Sequence, residues 1–161
     1  YKRQKYIGDV ELQKIYDMIS ETVEKFTGKM YATMGTYNTC TKAMDPHVDI
    51  INAHKDFKKT PMYSIIIPLP SSAENGSTLV WDAPGTAPIK DHVQYLVNPK
   101  KHQREKVYPG KRISPNKWGQ PTRYMHNIGD VICFKRNYIH AGGPITNGLK
   151  RFIIMLTRSQ Y

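Results

Sequence analysis

The chain has 161 residues, with 24 Lys and Arg against 13 Asp and Glu and only two cysteines. This length suits a single domain, here residues 1–161, with its own core. Cys40 and Cys133 cannot form a disulfide framework, so we expect a reducing, cytoplasmic compartment. The sequence has no apolar run of 18 residues that would span a membrane. It begins at Tyr1 and not at Met, so we expect the natural N-terminus to lie further upstream.

Residues 9–27 are predicted to form a helix that packs on a larger body. Asp9 is the predicted N-cap and Gly28 follows the last turn. We expect the Met and Phe residues of this helix to be core residues. Five apolar residues recur at spacings of three and four and form one stripe: Leu12, Ile15, Ile19, Val23 and Phe26.

After Gly28 the chain changes to short runs rich in Ile, Val, Tyr, Thr and Phe, separated by Pro, Gly and Asn. Many short strands with frequent turns are typical of a sandwich or barrel. The sequence therefore predicts one helix followed by an all-β domain. The runs are MYATMGTY, MYSIIIPL, STLVWD, HVQYLV, TRYMHN, DVICFK and RFIIMLT.

A basic segment, residues 98–120, holds seven Lys or Arg and one Glu, and so supplies +6 of the net charge of +11. Its prolines and glycines predict a loop and not a helix. Such a loop is either a solvated excursion or a lid that contacts the substrate. The positive charge of the chain suits an anionic partner, either a nucleic acid or an acidic protein surface. The candidate contact residues are Lys100, Lys101, Arg104, Lys111 and Arg112.

The stretch HAGGPITNGLKRFIIMLT (140–157) contains an Asn-Gly pair between two apolar runs, which is a strong signal for a two-residue β-hairpin. With Asn147 and Gly148 as the turn, Thr146 would pair with Leu149, and His140 and Arg151 would share one face. They would lie roughly 13 Å apart, at about 3.3 Å per residue. That gap suits a small dicarboxylate between a metal on His140 and the guanidinium of Arg151.

The short stretch DPHVD (45–49) would place His47 and Asp49 on one face if it is extended, whereas Asp45 belongs to the turn before Pro46. One imidazole and one carboxylate, with a second imidazole from His140, would make the 2-His-1-carboxylate set that suits Fe(II). Zinc is chemically possible. A catalytic zinc site would not explain an arginine one small-molecule length away.

These motifs resemble those of the 2-oxoglutarate- and Fe(II)-dependent oxygenases, most closely the small prolyl-hydroxylase-like branch. The resemblance rests on HVD (47–49), MYSIIIPL, GSTLVW and GDVICFKRNYIHAGGPITNGLKRF, and it covers roughly residues 31–157. It implies a mainly β double-stranded β-helix (jelly roll, cupin-like) over about 31–157, with the N-terminal helix packed on it.

The resemblance also implies a site. His47, Asp49 and His140 would hold the iron, and Arg151 would bind the far carboxylate of 2-oxoglutarate. Tyr37 and Tyr63 are the candidates for a further contact with this cosubstrate. The chain departs from the family at two positions of the carboxylate pocket: Ile153 stands where many members have Ser or Thr, and Pro68 where a tyrosine is common.

The implied activity is a dioxygenase that uses Fe(II), 2-oxoglutarate and dioxygen. It would hydroxylate a polypeptide side chain or a small molecule and release succinate and CO₂. One alternative is an AlkB-type nucleic-acid demethylase, although RFIIMLTR lacks the Asn and the Arg spacing of that branch. Another is a cupin-like binding domain without catalysis.

Overall fold

The computed structural model describes residues 2–47, 62–70, 76–81, 95–98, 103–106, 119–136, 138–145 and 148–159. Within these ranges lie one helix, α1 (Asp9–Thr27), and eleven strands. The strands are β1 (Lys2–Tyr6), β2 (Tyr31–Cys40), β3 (Met44–His47), β4 (Tyr63–Pro68), β5 (Ser77–Trp81), β6 (Tyr95–Asn98), β7 (Gln103–Lys106), β8 (Thr122–Met125), β9 (Ile132–Lys135), β10 (Ile139–Gly142) and β11 (Leu149–Thr157).

Two antiparallel sheets make up the body of the domain. The five-stranded sheet has the order β1-β2-β11-β4-β9, and the four-stranded sheet has the order β3-β10-β5-β8. Between them lies an apolar cluster to which the first sheet contributes Ile66, Ile132 and Phe134 and the second contributes Val80. From β2 to β5 and from β8 to β11, successive strands alternate between these two sheets, and the predicted double-stranded β-helix with an N-terminal packing helix is confirmed.

Helix α1 covers the outer face of the five-stranded sheet. Leu12, Tyr16 and Val23 of the helix are buried in one cluster with Ile65 of β4 and with Ile154 and Leu156 of β11. A Cβ atom added to Gly35 of β2 would lie 2.6 Å from Cδ1 of Leu12, so glycine permits the close approach of helix and sheet. The centre of this sheet is consequently buried on both faces.

The bounds of α1 agree with the prediction, but two details of it were wrong. Gly8 is the N-cap and Asp9 is already in the first turn. Met18 and Phe26 are 86% and 65% exposed and are not core residues. Four residues of the predicted stripe do pack in this cluster, namely Leu12, Ile15, Ile19 and Val23, and Tyr16 joins them, whereas Phe26 is exposed near the helix end.

The predicted pairing of the 140–157 hairpin was also wrong. Strand β10 pairs with β3 and β5, whereas β11 pairs with β2 and β4. Both hydrogen-bonding edges of each strand are therefore taken by other strands, and the two lie in different sheets. An Asn-Gly pair favours a turn but does not decide whether the flanking strands pair with each other. Thr146 and Asn147 lie outside the described residues.

The basic segment 98–120 is not a loop throughout. Strand β6, which ends at Asn98, pairs antiparallel with β7, and Asn98 is in register with Gln103. The Pro and Gly residues that favoured a loop lie at other positions of the segment, outside β7. In the described part of the chain no helix is long and apolar enough to cross a membrane.

The burial of Leu156 predicts a large cost for its truncation. Leu156 is fully buried between the sheet and α1, so Leu156→Ala is expected to lower the free energy of unfolding by about 2–5 kcal/mol. The matched control is Met18→Ala on the exposed side of α1, which is expected to change it by no more than about 0.5 kcal/mol. Urea denaturation measures both. Equal effects of the two substitutions would contradict the helix-on-sheet packing.

Candidate functional site

A small cavity of about 30 Å³ lies between the two sheets, near the start of β11. Four polar side chains line it, His140 and Thr78 from the four-stranded sheet and Arg151 and Ser64 from the five-stranded sheet. Apolar walls come from Ile66, Phe134 and Ile153. The predicted neighbours His140 and Arg151 are thus brought to one cavity. They reach it from facing sheets, and not along one hairpin.

His140 is held in a defined orientation. Its side chain is only 5% exposed, and its ring packs against the ring of Phe134 at a centroid distance of 4.8 Å. Nδ1 lies 3.1 Å from the carbonyl oxygen of Tyr138. A carbonyl oxygen only accepts, so Nδ1 carries a proton and donates it, and in the neutral ring the lone pair is then on Nε2. This is the tautomer of a metal-ligating histidine, whose other nitrogen donates to an oxygen.

His47 lies directly across from His140. The two residues are in register between β3 and β10, so positions 47 and 140 share a face of the four-stranded sheet. The register shifts between His140 and Gly142, where β3 has one residue more than β10, as in a β-bulge. Asp49, the third predicted ligand, lies outside the described residues. Within the described ranges, no three His, Cys, Asp or Glu side chains form a group that could hold a metal.

Arg151 brings a permanent positive charge into the interior of the sandwich. Its side chain is only 2% exposed, and its neighbours in the sheet are Asn38 on β2 and Pro68 on β4. Asn38 is itself fully buried, and its Nδ2 donates to both the carbonyl oxygen and the hydroxyl of Thr36. A guanidinium so placed is a binding group for a carboxylate or phosphate, because its charge is not lost by deprotonation.

The sequence did not single out a second polar pair, Thr78 and His126, beside this cavity. Oγ1 of Thr78 lies 2.8 Å from Nε2 of His126, and the Thr78 side chain lines the cavity. Burial, and secondly the charge of Arg151, lower the pKa of His126 to about 4. His126 follows β8, and no spacing motif marks it, so only the packing of β8 beside β5 reveals the pair.

The two tyrosines predicted to contact the cosubstrate lie elsewhere. Tyr37 is on the opposite face of β2 from Asn38, and its ring packs against Phe152 at a centroid distance of 5.9 Å. Tyr63 packs in the cluster under α1, with its ring edge-on to Phe26. Side chains alternate along a strand, so both tyrosines point away from the sheet face that carries Arg151.

The predicted contact residues of the basic segment remain predictions. Arg104 belongs to β7, and only its backbone is described. Lys100, Lys101, Lys111 and Arg112 lie outside the described residues.

The fold is similar to that of known oxygenases. The sequence matches no protein-family model and no curated protein. The structure is similar to a 2OG-Fe(II) oxygenase family oxidoreductase from Burkholderia pseudomallei, at 14% identity and a TM-score of 0.56, over 99% of this chain and 68% of that chain.

Two structures with bound 2-oxoglutarate are similar as well. One is the viral collagen prolyl hydroxylase of Paramecium Bursaria Chlorella virus-1, at 13% identity and a TM-score of 0.57, over 99% of this chain and 80% of that one. The other is HygX from Streptomyces hygroscopicus with nickel and 2-oxoglutarate, at 12% identity and a TM-score of 0.55, over 99% of this chain and 71% of that one. The chain therefore has the fold of the 2-oxoglutarate-dependent oxygenases, prolyl hydroxylases included, as its sequence motifs predicted.

The lowered pKa of His126 predicts a pH dependence of stability. In the unfolded chain the imidazole has a pKa of about 6.5, and in the folded chain about 4. Above about pH 6.5 the ring is neutral in both states. As the pH falls from there to about 4, the unfolded chain takes up a proton that the folded chain does not, so the free energy of unfolding decreases.

The contribution of His126 is isolated by comparing the wild type with His126→Gln, which cannot titrate. Urea denaturation between pH 7 and pH 4.5 is expected to show a steeper loss of stability in the wild type than in the variant. Parallel pH profiles would show that the ring is not kept neutral by its surroundings.

Proposed function

We propose that the chain is a 2-oxoglutarate- and Fe(II)-dependent dioxygenase that hydroxylates a polypeptide side chain or a small molecule and forms succinate and CO₂. The observation that carries the proposal is the pairing of buried His140 and buried Arg151 across one cavity. An imidazole and a fixed cation at the same cavity suit a ligand with a chelating end and a carboxylate end.

His47, Asp49 and His140 would hold the metal. Support comes from the cross-strand register of His47 with His140 and from the hydrogen bond that fixes the His140 tautomer. Two imidazoles and one carboxylate are a donor set that suits Fe(II) and leaves coordination positions open. When bound, Fe(II) would supply the oxygen chemistry, coupled to oxidative decarboxylation of 2-oxoglutarate.

Arg151 would bind and orient the far carboxylate of 2-oxoglutarate. Its buried position strengthens the attraction, since less water screens the charges there. The apolar walls from Ile66, Phe134 and Ile153 would then exclude water from the bound ligand.

Hydroxylation of a polypeptide or small molecule is favoured over action on nucleic acid. One structural neighbour is a collagen prolyl hydroxylase, and its likeness to this chain extends over 99% of the chain. In the described residues nothing places the basic segment against the cavity. A polypeptide or small-molecule substrate is therefore the one to test first, with proline-rich peptides as the leading class.

Replacement of Arg151 is expected to weaken 2-oxoglutarate binding selectively. Arg151→Gln removes a charge-assisted contact of about 1.5–3 kcal/mol, which corresponds to roughly 10- to 150-fold in Kd. The matched control is Lys150→Gln, which removes the same charge from an exposed residue one position away in β11 and is expected to leave Kd unchanged. Anaerobic calorimetric titration of the Fe(II)-loaded protein with 2-oxoglutarate measures both. Equal Kd values for the two variants would contradict the assigned role of Arg151.

Replacement of His140 is expected to act on the metal instead. His140→Ala should weaken Fe(II) binding by more than the roughly 10- to 100-fold that follows loss of an outer partner of a metal ligand. Equilibrium dialysis under anaerobic conditions measures this affinity, with Arg151→Gln as the variant that should keep it. The proposed function as a whole fails if the wild type binds no 2-oxoglutarate in the presence of the metal. It also fails if the wild type releases no succinate with any peptide or small-molecule substrate.

A further inference from the structure

We propose that His126 is a positioning residue that acts through Thr78. As a neutral ring protonated on Nε2, it donates a hydrogen bond to Oγ1 of Thr78 and directs the Thr78 hydroxyl hydrogen toward the cavity. There the hydroxyl would donate to the carboxylate that Arg151 binds. The inference rests on the proposed function, because it assigns the second contact of the same carboxylate.

Thr78 and His126 are held in a fixed geometry. Thr78 is 1% exposed and lines the cavity, and its Oγ1 lies 2.8 Å from Nε2 of His126. The backbone N–H of His126 donates to the carbonyl of Gly76 at 2.8 Å, which ties the residue to the start of β5. A Cβ atom added to Gly76 would lie 3.5 Å from Nδ1, so the ring lies close over this glycine.

The hydrogen bonds open to His126 decide which ring nitrogen carries the proton. Among the described residues, the buried Nδ1 atom of His126 has no hydrogen-bond partner. If Thr78 donated to Nε2, the proton would be on Nδ1 and a buried N–H would be left unpaired. If Nε2–H donates to Thr78, only an acceptor is left unpaired, and buried unpaired acceptors are tolerated better than unpaired N–H groups.

Burial and the nearby charge of Arg151 lower the pKa of His126, so the ring is neutral and carries one proton. The unpaired Nδ1 atom places that proton on Nε2, where it is donated to Oγ1 of Thr78.

The tautomer of His126 determines what the hydroxyl of Thr78 can do in the cavity. A hydroxyl group has one hydrogen to donate and two lone pairs to accept. With one lone pair occupied by His126, the hydrogen of Thr78 remains available for an acceptor in the cavity. Ile153 and Pro68, the positions on the five-stranded sheet where related enzymes were expected to carry a hydroxyl, have no side-chain donor here. Thr78 supplies one from the facing sheet.

The test is a double-mutant cycle on the Kd of 2-oxoglutarate, measured anaerobically by calorimetry with the metal-loaded protein. Thr78→Val removes the hydroxyl and keeps the shape of the side chain, and it is expected to weaken binding about 2- to 12-fold, as for one neutral hydrogen bond. His126→Phe is expected to weaken binding by a similar factor. Because His126 acts through Thr78, His126→Phe should have no further effect in a Thr78→Val background.

Two further measurements separate positioning from a structural role. His126→Gln can place an amide N–H near the position of Nε2 and is expected to bind 2-oxoglutarate nearly as well as the wild type. Met125→Ala, a substitution at the exposed neighbour, should leave Kd unchanged. Nitrogen NMR of the ring, which needs neither metal nor cosubstrate, is expected to show a protonated Nε2 and an unprotonated Nδ1.

The inference and the proposed function fail in different ways. If the wild type binds no 2-oxoglutarate with metal present, the proposed function is lost and the carboxylate role of Thr78 with it. If the wild type binds it but Thr78→Val and His126→Phe do so equally well, only the inference is lost. Additive effects of the two substitutions, or a ring protonated on Nδ1, also overturn the inference.

Discussion

Strand β11 is buried on both faces and bonded on both edges, and most of the structure depends on that position. Its edges pair with β2 and β4. Ile154 and Leu156 face helix α1, while Arg151 and Ile153 face the second sheet. Because successive residues of a strand point to opposite faces, one stretch of nine residues both anchors the helix and carries the guanidinium into the sandwich. A shift of this strand by one residue would exchange the two sets of side chains.

The cavity combines buried groups that cost free energy unless a ligand or neighbour compensates them. Arg151 holds a permanent charge, His140 is oriented by the Tyr138 carbonyl, and His126 is kept neutral near that charge. A buried guanidinium with apolar walls beside it is a type of group to which small anions bind in proteins. This preorganisation serves recognition better than stability, since apolar residues of similar size in these positions would pack at lower cost.

The sequence predicted the local elements well and the pairing of strands poorly. The apolar period located α1 to the residue, and seven strand-like runs correspond to seven observed strands. The Asn-Gly signal predicted that β10 and β11 pair, yet each finds both partners elsewhere. The turn preference of an Asn-Gly pair is a local property. Which strands pair depends on the packing of the whole chain, because each strand has only two hydrogen-bonding edges. The sequence also did not show that Tyr37 and Tyr63 lie on the sheet face away from Arg151, because the register of the paired strands decides which face a residue is on.

The sequence by itself determined the extent of α1, the mainly β character of the chain after it and the residue types that suit iron and a dicarboxylate, but it did not indicate β1, which precedes the helix. Spacing and residue chemistry can be taken directly from the sequence, so His47, Asp49, His140 and Arg151 could be proposed as metal and cosubstrate ligands without coordinates. Only the tertiary structure decided that His140 and Arg151 meet across two sheets, and that Thr78 and His126 lie beside them. These contacts join residues that are far apart in sequence. A local sequence pattern does not indicate which faces of two separate sheets pack against each other.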